Sequence, residues 1–206
     1  MSEREVIPTR SAFLELKEER VGMQEGYRFL DEKRLILAAE ILQTLNVYTR
    51  ELVAFRADYA AAGQALRAAV GRHGIEGLGI YPPAAAPKGE VQVQERSVLG
   101  VRVQETRWPT AHRLDLAAPP PQAPDQSPEG DACRAAFLAL IPRCAHLADL
   151  AANLERLRAE YARTARRARA MEDVLLPEID ATLSAIDTAL EELEREESVR
   201  VRRAAG

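Results

Sequence analysis

The chain has 206 residues, with 28 Lys and Arg against 32 Asp and Glu, for a formal net charge of −4. That balance argues against a general nucleic-acid binder, whose surface would be strongly basic. Apolar residues make up 47% and aromatics only 5%, and Ala, Leu, Glu and Arg dominate, the usage of long helices.

No apolar run approaches the roughly 18–20 residues needed to cross a bilayer. The opening Met1-Ser2-Glu3-Arg4-Glu5 lacks the apolar core of a signal peptide. Cys133 and Cys144 stand eleven residues apart. On one helix that is roughly 16 Å, beyond disulfide reach. Both are expected as buried small apolar residues in a reducing compartment.

In chain order, Pro8-Thr9 opens a first helix, with Thr9 or Ser11 as N-cap. No proline follows until after about Ala69, so the helix would be roughly 90 Å long at 1.5 Å per residue. Met23, Tyr27, Leu30, Arg34, Leu37 and Ile41 form an apolar seam along it. A four-residue step then leads to Leu45, Tyr48, Leu52, Phe55, Tyr59, Ala62, Leu66 and Ala69. Alternating steps of three and four make the seam of a coiled coil. Gly22 and Gly26 sit one turn apart near its start. They suit either a close approach by another helix or a flexible beginning. Gly71, Gly74, Gly77 and Gly79 end the helix.

The middle of the chain changes period. Val91 and Val93 alternate with glutamines, and Val101 and Val103 with Arg102 and Gln104, around Ser97-Val98-Leu99-Gly100. This predicts a strand, a turn and a strand. Such a hairpin is marginal alone and must lean on the helices or on a partner. Pro119, Pro120, Pro121, Pro124 and Pro128 mark an irregular connection.

A second long helix is expected from about Asp131 to Val201, interrupted at Pro142 and Pro177. Its seam is Leu147, Leu150, Leu154, Leu157, Tyr161, Thr164, Ala168, Met171 and Leu175, continuing through Ile179, Leu183, Ile186, Leu190 and Leu193. Pro177 removes the hydrogen bond to the Asp173 carbonyl and should kink the helix rather than end it. The steps Met171–Leu175–Ile179–Leu183 are three fours in succession, a stutter that relaxes the supercoil.

The fold expected is therefore mostly α, a long antiparallel two-helix coiled coil with a small central β-hairpin. The N-terminal helix takes 1–75, the middle 76–130 with the hairpin near 91–105, and the C-terminal helix 131–206. All three form one structural unit. Both chain ends should share one tip, with the hairpin and proline loop toward the opposite end.

Motifs for chemistry are missing. There is no Gly-x-x-x-x-Gly-Lys-Ser/Thr, no Cys-x-x-Cys, no His-Glu-x-x-His and no Gly-x-Ser-x-Gly. His73, His112 and His146 are scattered and read as surface or packing residues. No active site, cofactor or metal is expected in this chain. Charge does have an order along the last helix. Arg156 to Arg169 is basic, Asp187 to Glu197 acidic, and Arg200, Arg202 and Arg203 end it basic. That order fits i,i+4 pairing on a solvated face, or electrostatic matching to a surrounding partner.

Several stretches together resemble a known family. Pro8-Thr9-Arg10, Leu16-Lys17, Gly26, Leu30 and Lys33-Arg34 look like the start of the D subunit of the V-type and A-type rotary ATPases. Arg166-Arg167-Ala168-Arg169-Ala170-Met171-Glu172, Leu176-Pro177 with Ile179, and Glu194-Arg195-Glu196-Glu197 look like its last helix. Val98-Leu99-Gly100-Val101-Arg102-Val103 is similar to its central hairpin. The family commonly has Arg-Arg-Val-Asn where this chain has Arg166-Arg167-Ala168-Arg169.

The resemblance implies a central rotor shaft that passes torque between ATP chemistry and proton or sodium movement. It implies a ring of catalytic and non-catalytic subunits of the A and B types around the shaft. A small rotor protein, the F subunit, and an adaptor on the membrane ring would be further partners. It also implies a cytoplasmic place, peripheral to the membrane, with no nucleic acid and no direct membrane insertion. The shaft tip facing the ring would comprise Arg10, Glu194, Arg195, Glu197, Arg200, Arg202 and Arg203. Gly26, Arg166, Arg167, Arg169 and Pro177 would lie on the shaft surface, and Val98, Leu99, Gly100, Val101 and Val103 in the hairpin. The competing reading is a coiled-coil scaffold or tether, with copies paired through the same seams.

Overall fold

The computed structural model describes residues 7–80, 92–107 and 126–205. They are mostly α-helical, with one two-stranded sheet. In order these are α1 (Arg10–Ile80), β1 (Gln92–Val98), β2 (Val101–Arg107), α2 (Pro128–Ala170), a π-helical turn (Met171–Leu175) and α3 (Leu176–Ala204). Val91 and Pro119 to Pro124 lie outside the described residues.

Thr9 is the cap of α1. Its hydroxyl accepts a hydrogen bond from the Ala12 amide at 3.1 Å, and its carbonyl accepts from the Phe13 amide. One of the helix's four orphan donors is thereby satisfied. Of the four late glycines, Gly74 alone leaves the helical region, at φ 71°, and helical turns resume up to Ile80. A left-handed φ is where glycine is at home.

The described residues fall into two compact units. The first joins α1 up to Ile36 with the chain from Glu160 onward. Arg10–Glu194, Arg20–Asp180 and Lys33–Glu160 pair across it, so the two strands of helix run antiparallel. Its buried positions are Thr164, Ala168, Ile179 and Ile186.

The interruption in this unit lies one turn before Pro177. The Leu176 amide donates to the Met171 carbonyl, five residues back, which makes the turn π-helical. Proline cannot donate to Asp173 and its ring crowds that carbonyl. A widened turn just ahead of it accommodates both effects and takes up one extra residue. The seam therefore does not advance in the even fours expected. Leu175 is exposed, Leu176 is half-buried and the buried line resumes at Ile179 and Ile186. The spare residue is spent in one turn instead of being spread along the helix.

Gly26 supplies the close approach. A Cβ there would sit 3.2 Å from Met171 Cε, whereas Gly22 faces open space. We expect Gly26→Val to destabilise this unit by roughly 1–3 kcal/mol through overpacking. Met171→Ala in the same chain should recover most of that loss. Urea titration of the four variants measures it, and an unchanged midpoint for Gly26→Val would contradict the contact.

The second unit spans Leu37 to Ala159. Asp58–Arg143 and His73–Ser127 pair across it, so α1 and α2 again run antiparallel. Its core includes Leu37, Ala62, Ala69, Leu140 and Leu157, with Val101 and Val103 from the hairpin. Here the α1 seam departs from expectation. Thr44 is 9% exposed and Leu45 41%, so after Ile41 the buried line steps by three to Thr44 and not by four to Leu45. Tyr59 and Leu66 are also exposed. Geometry continues the face set by Leu37 and Ile41, even though Thr44 is the more polar choice.

Cys133 is buried and Cys144 exposed, and both are free thiols, so only the first fits the expectation of burial. Burial pushes the Cys133 thiol up. One stretch within Pro128–Ala204 is long and apolar enough, by length and composition alone, to cross a membrane, though Arg143 and Asp149 keep it from being an unbroken apolar run. Charges in the apolar part of α2 are bonded inside the unit: Arg143 to Asp58, and Asp149 to Thr106.

Candidate functional site: hairpin dock and helix-pair end

The hairpin turns through Leu99 and Gly100, both at positive φ, the pattern of a tight type I′ turn. β1 and β2 pair antiparallel, with Val98 opposite Val101 and Val93 opposite Thr106. A two-residue turn sets each residue against one of opposite parity. Val101 and Val103 therefore share a face with Val98 and Arg96, while Val93 falls on the other face and is 51% exposed. The alternating valines do not form one apolar side.

The hairpin leans on its own helices, held largely by polar groups. The Asn153 amide acts as a short third strand. Its Oδ1 accepts from the Gln104 amide at 2.9 Å, and its Nδ2 donates to the Gln104 carbonyl at 2.6 Å. Asp149 accepts from both the amide and the hydroxyl of Thr106. Arg156 bridges Asn153 Oδ1 and Gln104 Oε1. Arg96 reaches Glu40 on α1. These side chains satisfy the outer edge of β2, which would otherwise carry unpaired backbone groups.

This places the dock away from the expected end. Within the second unit, α1 closes against the start of α2 through His73 and Ser127, where Ser127 also accepts from the Gly130 amide as the α2 cap. The hairpin instead lies against Glu40 and the Asp149–Arg156 stretch, at the other end of that unit. The acceptors and donors for β2 are on that stretch, and Val101 and Val103 are buried. Sequence reasoning passed over Asp149, Asn153 and Arg156 as dock residues. The available signal was Asn153, a polar side chain one helical turn from Leu150 and Leu157 on the apolar stripe.

In the first unit the expected tip residues stand at the end of the helix pair. Every residue from Glu191 to Ala205 is exposed. Of the seven expected there, Arg10 and Glu194 meet directly, at 2.5 Å, and Arg195 pairs with Glu191 on its own helix. Exposed pairs of this kind add little stability, about 0–1 kcal/mol. Glu197, Arg200, Arg202 and Arg203 project from the same exposed turns. Arg166, Arg167 and Arg169 lie outside the buried line of Thr164 and Ala168, and Pro177 begins α3 just after the π turn. The approach at Gly26 is filled from inside the unit by Met171.

At the end of the first unit away from Arg10 and Glu194, the electrostatics tighten. Lys33 donates to Glu160 at 2.7 Å, and both side chains are less than one-fifth exposed. The Lys33 hydrogen bond holds the Glu160 carboxyl below its usual 4.5, aided by the charges of Lys33, Arg163 and Arg167 and opposed by burial. A carboxyl with a depressed folded-state pKa stabilises above its unfolded value and loses that contribution as pH falls through the folded one. We therefore expect the wild type to lose stability progressively below about pH 4.5. Glu160→Gln should be less stable at neutral pH and flatter through that window. Thermal melts between neutral pH and the acid limb check it, and parallel curves would contradict it. Partial burial and the neighbouring Glu172 carboxylate push the Tyr27 phenol up.

The described residues thus form two antiparallel helical units, one bearing a docked β-hairpin and the other ending in exposed charged turns. The sequence profile of the ATP synthase D subunit matches residues 12–206. The chain is 28% identical to the D subunit of the A-type ATP synthase of Pyrococcus furiosus over 205 residues, covering 96% of this chain and 92% of the relative. It is 27% identical to that of Methanosarcina acetivorans over 203 residues, covering 98% and 97%. The D subunit of the V-type ATP synthase of Thermotoga neapolitana is 26% identical over 198 residues, covering 96% of each. The chain belongs to the ATP synthase D-subunit family and is a component of a V/A-type ATPase complex.

Proposed function

We propose that the chain is the central rotor-stalk component of this complex. It carries torque between ATP chemistry in a ring of A- and B-type subunits and the movement of protons or sodium ions. The chain contributes contact surfaces and no catalytic group of its own. Its partners are the ring, the small F subunit and an adaptor on the membrane ring. It works at the cytoplasmic face, peripheral to the membrane.

The observation that carries this reading is the bare end of the first unit. From Glu191 to Ala205 every residue is exposed, and acidic and basic turns follow one another. A surface of alternating charge can make different contacts with each conformer of a surrounding ring, which is what coupling requires. The test is a complex in which this chain stops after Glu194. We expect ATP hydrolysis to continue while ion pumping per ATP falls. Normal coupling in the truncated complex would remove these turns from the torque path. A stable homodimer of the isolated chain in sedimentation would favour the tether reading.

A further inference from the structure

In the second unit, α1 carries more apolar surface than one neighbouring helix uses. The face it buries runs through Leu37, Thr44, Ala62 and Ala69. Beside that face runs a second line, Leu45, Leu52, Tyr59 and Leu66, at steps of seven. Leu42 and Gly63 fall on the same line, at the intervening steps of three and four. Leu52 is half-buried, but Leu42, Leu45, Tyr59 and Leu66 are between 40% and 61% exposed. A helix in a lone pair needs one narrow seam, whereas a helix with two neighbours carries a wider apolar face.

Two further observations say what covers the second line. Gly63 stands inside the helix, where glycine is a poor choice, and a Cβ there would meet nothing of its own chain. On a bare seam, the missing side chain lets another backbone come close. Arg56 and Arg67 border the line, eleven residues and so about three turns apart. Both are exposed, and neither enters an ion pair among the described residues. The acids of this part of α1 are engaged elsewhere, Glu40 with Arg96, Glu51 with Arg50 and Asp58 with Arg143. The line is thus apolar with a basic border. Tyr59 is also held in place, stacked on Phe55 with ring centroids 6.1 Å apart. An aromatic fixed beforehand loses little freedom on contact.

We infer that this line seats one amphipathic α-helix of another protein of the ATP synthase complex. That helix carries apolar side chains at steps of three and four, with acidic residues about three turns apart facing Arg56 and Arg67. The contact runs from Leu42 to Leu66, about 36 Å along α1. A second copy of this chain does not fit, because it brings the same two arginines and no unpaired acid on this face. The inference deepens the proposed function by naming a contact surface, and rests on it only for the presence of partner subunits.

The test uses the full-length chain assembled with the rest of the complex. A benzophenone amino acid replaces Leu45, Leu52, Tyr59 or Leu66, one at a time. Illumination should trap one other protein, at sites that advance along it by about seven residues per step, the ladder of a packed helix. Gly63→Leu should melt no lower than wild type as the isolated chain, because its site is open, yet join the complex about tenfold more weakly. Ala61→Leu adds similar bulk about 200° round the helix and should assemble as wild type. Arg56→Glu with Arg67→Glu should weaken assembly, and exchanging the trapped acids for lysine should restore it. Cross-links to a second copy of this chain, trapping of no protein, or normal assembly of Gly63→Leu would overturn the inference. Each would leave the rotor reading standing, because that depends on whether the wild-type chain turns.

Discussion

Asn153→Leu should cost the second unit roughly 3 kcal/mol and release the hairpin. Asn153 is 6% exposed and makes three hydrogen bonds, two to the Gln104 backbone and one from Arg156. Each net bond is worth about 1 kcal/mol, and stranding a buried donor or acceptor costs about 1–3 kcal/mol more. Leucine fits the volume, so the loss comes from the orphaned groups and not from a cavity. Asn153→Asp keeps the acceptor for the Gln104 amide and loses the donor to its carbonyl, so its cost should be near 1 kcal/mol. Urea unfolding gives the totals, and the Gln104 and Thr106 amides should exchange faster in Asn153→Leu. Unchanged exchange there would mean the hairpin is held by its valines alone.

Leu157→Ala should be comparably severe, about 3 kcal/mol within the usual 2–5 for a buried leucine. Leu157 is among the largest fully buried side chains in the chain. A helix pair has few layers to close around a hole, so most of the cavity should persist. The informative contrast is Leu45→Ala in the same unit. By alternating period Leu45 belongs to the seam, yet it is largely exposed while Thr44 is buried. Its truncation should cost under about 1 kcal/mol. Equal losses for the two variants would restore Leu45 to the core.

That contrast shows what periodicity conveys. Steps of three and four located both helices, and the α2 seam through Leu157, Thr164 and Ala168 is the buried one. Periodicity does not decide between a step of three and one of four when the more polar residue fits the geometry, as at Thr44. It also reveals an extra residue without saying where it goes. Three fours in a row marked the surplus near Pro177, and proline sterics gathered it into the turn Met171–Leu175.

The hairpin was legible from alternation and Leu99-Gly100, but its inward face was not. Turn length decides parity, and a two-residue turn sends Val93 outward while Val101 and Val103 go in. The dock was hidden because its holding groups lie on α2, some 43 to 52 residues away in sequence. Local patterns say nothing of such distant pairs. The exposed end of the first unit was easier to find, because charge order survives in sequence as it stands on the helix.

The most direct measurement is rotation itself. The complex is fixed by its catalytic ring, a bead or gold particle is attached to this chain near its exposed C-terminal turns, and ATP is added. The account predicts sustained rotation of the probe in one direction, which stops when ATP is exhausted. A probe that stays still while the same complexes hydrolyse ATP would contradict it.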